Sequence, residues 1–265
     1  RAGKEKVMKL YRHFLTIHIK SLMQYKVSFL LTTLGQFLIS FNVFLGIYFM
    51  FQRFHQLQGY EFSEILLCFS IVLMGFTLAE TFVRGFDLFA ATIANGEFDR
   101  ILLRPRNEIF LVLAGKIELS RVGRLLQAVV ILFYAVKTIE ITWSFDKVIT
   151  LVLMILGGSI VFGSLFVIYA SICFFTLEGL EFMNILTDGG REFGMYPLNI
   201  YGKGVLKFCT YLVPYALFQY YPFLYLTGRT TNRLYMLLPV AACTFTIPTY
   251  FIWRFGVRHY KSTGS

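Results

Sequence analysis

The stretch NGEFDRILLRPRN, Asn95 to Asn107, sets five charges, Glu97, Asp99, Arg100, Arg104 and Arg106, between two strongly apolar runs. Asn95-Gly96 has the residue types of a tight turn, and Pro105 disfavours helix at Arg104. The pattern predicts a short amphipathic helix that begins at Glu97 and stops before Pro105, with Phe98, Ile101 and Leu102 as its apolar side chains. What such a segment does depends on what flanks it.

The flanks are membrane spans. Of the 265 residues, 57% are apolar and only 15% charged, and the mean hydropathy is +0.64, whereas soluble domains are about 45–50% apolar and about 25% charged. Apolar runs of about 20 residues cross the hydrocarbon as helices, so the expected fold is an all-α polytopic membrane protein with six transmembrane helices. The spans are placed at about 27–52, 62–82, 117–137, 148–176, 206–228 and 234–253. They form one transmembrane domain over 27–253, between an N-terminal segment, 1–26, and a tail, 254–265.

The third span is charge-free only from Leu125 to Val136, so its helix is expected to start earlier and to carry Lys116, Glu118, Arg121 and Arg124 at one end. Lys116, Ser120, Arg124 and Gln127 fall on one helical face, which implies a wet or protein-facing stripe. The fifth span contains Pro214 and Pro222, read as kinks or re-entrant turns. Glu80 and Arg84, four apart at the end of span two, can neutralise each other at the membrane boundary.

An inward-facing N-terminus puts twenty of the 25 Lys and Arg residues on the inner side and leaves Arg53, Lys137, Lys147, Arg229 and Arg233 outside. That bias predicts an N-in, C-in topology and a cytoplasmic position for Asn95–Asn107. Within 1–26, Val7, Leu10, Tyr11, Phe14, Ile17 and Leu22 face one way and Lys6, Lys9, His13, Thr16 and Lys20 another. An amphipathic interfacial helix follows, serving either as a gating elbow or as a topology anchor. The first apolar run is too long for a signal-peptide core and should stay in the mature protein. The chain begins at Arg1 rather than Met, which leaves room for an upstream piece.

Several chemistries have no residues to carry them. Cys68, Cys173, Cys209 and Cys243 are scattered through apolar runs and read as small core residues. His13 and His18 miss the i,i+4 spacing of a helical metal site. The sequence contains no G-x-x-x-x-G-K-[ST], no HExxH and no GxSxG. The formal charge of +10 is read as topology signals and headgroup anchors, not as a nucleic-acid surface. An energy source outside the chain is therefore expected. By physics alone the charged segment is either a docking helix for a soluble partner or a solvated loop touching lipid phosphates.

The segment ANGEFDRILLRPRN resembles the G-x-[FL]-D-x-x-L-[LI]-[RK]-P signature that follows the second span in a six-helix branch of the type-2 ABC transporter permeases. YPLNIYGKGVLKFCTYLVPYALFQYYPFLYLTG, Tyr196 to Gly228, is similar to that branch's region leading through span five, and WRFGVRHYKSTGS to its short ending. The resemblance implies two six-span permease chains, identical or diverged, above a pair of cytoplasmic ABC ATPases that hold the ATP and Mg²⁺. It implies no cofactor on this chain, membrane lipids but no nucleic acid as partners, and the bacterial inner (cytoplasmic) membrane as location.

Carried over by position, Gly96, Glu97, Asp99, Arg100, Leu103, Arg104 and Pro105 would couple the permease to the ATPase. The implied activity is export of an amphipathic or hydrophobic compound by alternating access, with no enzyme activity of the chain's own. The alternative is a membrane scaffold or assembly protein that docks a partner through the same loop. Ser159 and Gly163 supply a small-xxx-small pair for helix packing, within the chain or between two chains. Glu178, Glu181, Asp188 and Glu192 form either a second ATPase contact or a solvated acidic loop.

Overall fold

The computed structural model describes residues 2–176 and 181–262, with side chains from Lys9 onward. The helices in order are α1 (Ala2–Gln24), α2 (Lys26–Arg53), α3 (Phe62–Phe82), α4 (Arg84–Asp87), α5 (Phe89–Ala94), α6 (Glu97–Leu102), α7 (Glu108–Gly115), α8 (Val122–Thr138), α9 (Phe145–Thr176), α10 (Phe182–Leu186), α11 (Asp188–Gly194), α12 (Lys203–Tyr211), α13 (Tyr215–Phe218), α14 (Tyr220–Leu226), α15 (Leu238–Ala242) and α16 (Thr246–His259). No strand occurs among the described residues. Short 3₁₀ turns lead into α8 and α15 and join α15 to α16. The last turn, Cys243–Phe245, lies just before Pro248, whose ring removes the helical hydrogen bond to the Thr244 carbonyl.

Five stretches among the described residues are long and apolar enough to cross a membrane: Lys26–Arg53, Phe62–Phe82, Leu119–Thr138, Phe145–Thr176 and Arg233–His259. The third differs from expectation at its start. Lys116 is extended and exposed and Glu118 precedes the 3₁₀ turn, its N–H bonded instead to the Thr81 carbonyl at 3.0 Å, so neither residue lies on the helix. Ser120, Arg124 and Gln127 do share a buried face.

The expected crossing at 206–228 is not one helix. Pro214 disfavours helix at Val213, so α12 ends at Tyr211 and a new turn begins at Tyr215. Pro222 is tolerated as the third residue of α14, where no intrahelical donor is required. Contacts show the path of the chain. Arg191 lies over the Phe76 ring at 4.9 Å, the Cys68 thiol bonds the Gly194 carbonyl at 3.3 Å, and Tyr60 donates to Asn199 at 3.0 Å. Residues 191–199 thus run antiparallel to α3. The segment 215–229 follows the same direction: Tyr215 Oη donates to the Leu186 carbonyl, the Phe223 ring lies tilted 6.0 Å from that of Tyr60, and Arg229 pairs with Glu64 at 2.8 Å. Between them α12 returns beside α10 and α11, with Phe208 and Cys209 near Leu186 and Gly190. Gln219, fully buried, locks the two ascending legs together by donating to the Tyr196 carbonyl at 2.9 Å and the Gly194 carbonyl at 3.2 Å.

Helix α3 is the axis of the bundle, with fifteen of its 21 residues buried, whereas α2 buries only Ser40 and Ile47. Its seam with α9 rests on Gly75, where an added Cβ would meet the Gly158 and Ser159 backbone at 3.3 Å. That approach lets Ser159 Oγ donate to the Gly75 carbonyl at 3.2 Å.

At the C-terminal end of α3, Glu80 is buried among three arginines: Arg124 at 2.5 Å, Arg121 at 3.1 Å and Arg84 at 3.7 Å. Arg124 also donates to Gln36 of α2 at 2.6 Å, and Arg84 pairs with Asp87. The pairing read from sequence, Glu80 with Arg84, is thus the longest of the three. Removing one partner of a buried pair leaves uncompensated charge. Glu80→Ala is expected to destabilise the protein by about 3–5 kcal/mol, against about 1 kcal/mol or less for Arg84→Ala, measured by chemical denaturation in detergent.

Candidate functional site

The segment between α3 and α8 folds as four short helices, α4 to α7, held by rings. Asn95 and Gly96 turn the chain between α5 and α6, and Gly96 has φ +65°, a left-handed conformation that a side chain would strain. Helix α6 ends at Leu102, and Leu103 and Arg104 close it with hydrogen bonds back to Asp99 and Ile101. Asn107 then caps α7 by accepting from the Phe110 N–H at 3.2 Å.

Phe98 is the anchor. It is fully buried, with ring centroids 5.1 Å from Phe89, 5.2 Å from Phe174, 5.1 Å from Tyr260 and 6.2 Å from Trp253. Phe174 lies near the end of α9 and Trp253 in the middle of α16, so one side chain of α6 touches the last turn of one long helix and the centre of another. Arg254 pairs with Glu108 of α7 at 3.0 Å, and Ser262 donates to Asp99 at 2.6 Å. Burial and the neighbouring Asp99 carboxylate push the Tyr260 hydroxyl up to about 12, so it stays neutral in this cluster. On the other flank α1 rests against α7, with His18 bonded to the Ala114 carbonyl at 3.2 Å and Tyr11 and Phe110 rings 6.4 Å apart. Leu10, Tyr11, Phe14, His18 and Leu22 form its half-buried stripe. Ile17, expected on that face, is exposed, and His18 takes its place.

The seven residues assigned to the segment divide into two sets. Glu97, Arg100, Leu103, Arg104 and Pro105 form an exposed crest at helical spacing, and Leu103, at 86% exposure, is its apolar tip. Neither Arg100 nor Arg104 has an ion-pair partner among the described residues. Gly96 and Asp99 face the protein and hold the crest in place. Ser159 and Gly163 lie elsewhere, in the α9 surface against α3, where Gly163 sits beside Val83. Of the acids after α9, Asp188 and Glu192 both pair with Arg191, Glu181 is exposed, and Glu178 lies outside the described residues.

The sequence reading missed Phe174, Trp253 and Tyr260 as parts of this site. One signal was present: Trp253 and Tyr260 are seven apart and so share a helical face. Among the described residues no group of His, Cys, Asp and Glu could hold a metal. The cysteines are free, three of them buried and Cys243 half-buried.

With helices of this length and a charged segment after the second, the chain has the build of a membrane permease. It belongs to the ABC-2 family: the family signature described as ABC-2 family transporter protein matches residues 37–264. The protein is an ABC-2-type permease, integral to the membrane and multi-pass. Neither a curated protein nor a solved structure matches it.

Because Phe98 is encased and Leu103 is not, the two should respond differently to truncation. Phe98→Ala is expected to cost about 3–5 kcal/mol, and Leu103→Ala about 0.5 kcal/mol or less. Denaturation followed through tryptophan emission reports on the cluster directly, since Trp253 is one of only two tryptophans.

Proposed function

We propose that this permease is the membrane half of an ATP-driven exporter whose ATPase subunits dock on the crest of α6, with a second permease chain beside it. The observation that carries this reading is the contrast across α6 and the two residues that follow it: outside, an exposed apolar tip, Leu103, between two arginines with no ion-pair partner among the described residues, and inside, the fully buried Phe98. A docking surface needs the first, and force transmission needs the second. Displacement of the crest would press Phe98 on Phe174 and Trp253, so α9 and α16 would move together. The family's association with ABC ATPases supports the same reading. Alternating access would follow from nucleotide-driven closure of the partner.

The contacts around α3 support a revised topology. Residues 182–201 make the fifth crossing, and 203–228 form a re-entrant hairpin that dips from the outer face, turns at Leu212–Pro214 and returns. Moving Lys203 and Lys207 outward changes the Lys/Arg balance from twenty against five to eighteen against seven, which keeps the inward bias. The apolar products or lipids to be moved are then met partway across the membrane by a hairpin seated on Gly158 and Phe162 in the middle of α9.

Two experiments test this. Arg100→Glu with Arg104→Glu should abolish co-purification with the ABC ATPase that the unaltered chain retains and lower transport at least tenfold while leaving folding intact; unchanged binding and transport would overturn the docking site. In intact cells, a membrane-impermeant thiol reagent should leave Leu103→Cys unlabelled in a background lacking native cysteines and label Lys203→Cys. The reverse pattern would overturn the topology.

A further inference from the structure

A groove of about 450 Å³ runs between α2 and α8, well within the range of small-molecule sites. On the α2 side Phe37, Phe41, Phe44 and Tyr48 form a ladder of nearly parallel rings with centroids 5.8, 5.8 and 6.4 Å apart. From Phe37 to Tyr48 it extends about 16 Å along the helix. Leu126, Val130 and Tyr134 of α8 flank it and are 60%, 67% and 52% exposed, so in a membrane protein the groove opens sideways toward lipid.

Apart from the Tyr48 and Tyr134 hydroxyls, the exception in this apolar lining is Gln127. It is 3% exposed, and neither its amide oxygen nor its amide nitrogen has a partner. Arg124, one turn away, directs its terminal nitrogens to Glu80 and Gln36. A buried amide with no partner costs stability unless something else satisfies it. A hydrocarbon chain cannot do that, and an anionic head would find no free cation on the lining. The occupant that completes the site has an extended apolar tail for the ring ladder and a neutral head that both donates and accepts.

We infer that this groove binds a single-chain amphiphile with a neutral amide or hydroxyl head, the head paired with Gln127 and the tail lying along α2 toward Tyr48. The site lies far from the α6 crest, and binding requires no ATPase, so the inference goes beyond the transport reading and stands or falls separately from it.

The test uses the full chain in nanodiscs and two photoreactive probes, octadecanamide and octadecane, each carrying a diazirine in the tail. The amide probe should label peptides containing 37–48 or 126–134 and be competed by unlabelled oleamide. Gln127→Leu should weaken the amide probe about tenfold or more, as expected for loss of a buried hydrogen-bonding partner, and leave the octadecane probe unchanged or stronger. Gln127→Met serves as a second variant should the first fail to fold. Val130→Trp, which fills the groove, should abolish labelling by both probes. Equal amide labelling of wild type and Gln127→Leu, or labelling that survives Val130→Trp, would overturn the inference. So would a disulfide linking two copies through Tyr134→Cys in a chain that neither probe labels, since the groove would then seat a second copy.

Discussion

One buried carboxylate fixes the relation between the bundle and the segment beneath it. Glu80 is buried, and an isolated charge there would be prohibitively costly. Arg121 and Arg124 come from the start of the third long stretch, Arg84 from the chain leaving α3, and Gln36 from α2 through Arg124. Four parts of the chain must therefore converge before the charge is compensated. This convergence sets where α3 ends, and the short helices α4 to α7 begin from that point. The extended link at Lys116–Glu118, tied to Thr81, returns the chain to the same place.

The long helices were largely legible because their apolar runs are uninterrupted, and α3 and α9 follow those runs closely. The packing of 182–201 along α3 was not, for a physical reason. The stretch carries Asp188, Arg191 and Glu192, and its helices are interrupted before Pro197 and again at Gly202. By hydropathy it loses to the more apolar 206–228, which the structure divides at Pro214. Hydropathy measures how comfortably a segment sits in lipid, while residues 191–199 lie against α3 and are shielded by protein on that side. The charges there are neutralised within the segment, Arg191 by its two acidic neighbours.

The charged segment divides along the same line. Its turn, its short helix and its stop at Pro105 follow from local backbone chemistry that Asn95-Gly96 and Arg104-Pro105 announce. Its anchoring does not, because Phe174 and Trp253 lie far away in the chain and no local rule joins them to Phe98. The Glu80 hub shows the same limit: i,i+4 spacing identified Arg84, but the closer partners come from forty residues on.

Gln219 adds a constraint on how chains of this kind can diverge. Its amide reaches the Gly194 and Tyr196 carbonyls from within the segment 215–229, whose first residue bonds Leu186 and whose last pairs with Glu64. Adding or deleting one residue between Tyr215 and Gln219 would rotate everything beyond it by about 100° and swing the amide into hydrocarbon. Length variation among natural relatives should therefore be confined to the connection after Arg229, leaving 215–229 at constant length while its outward-facing side chains drift.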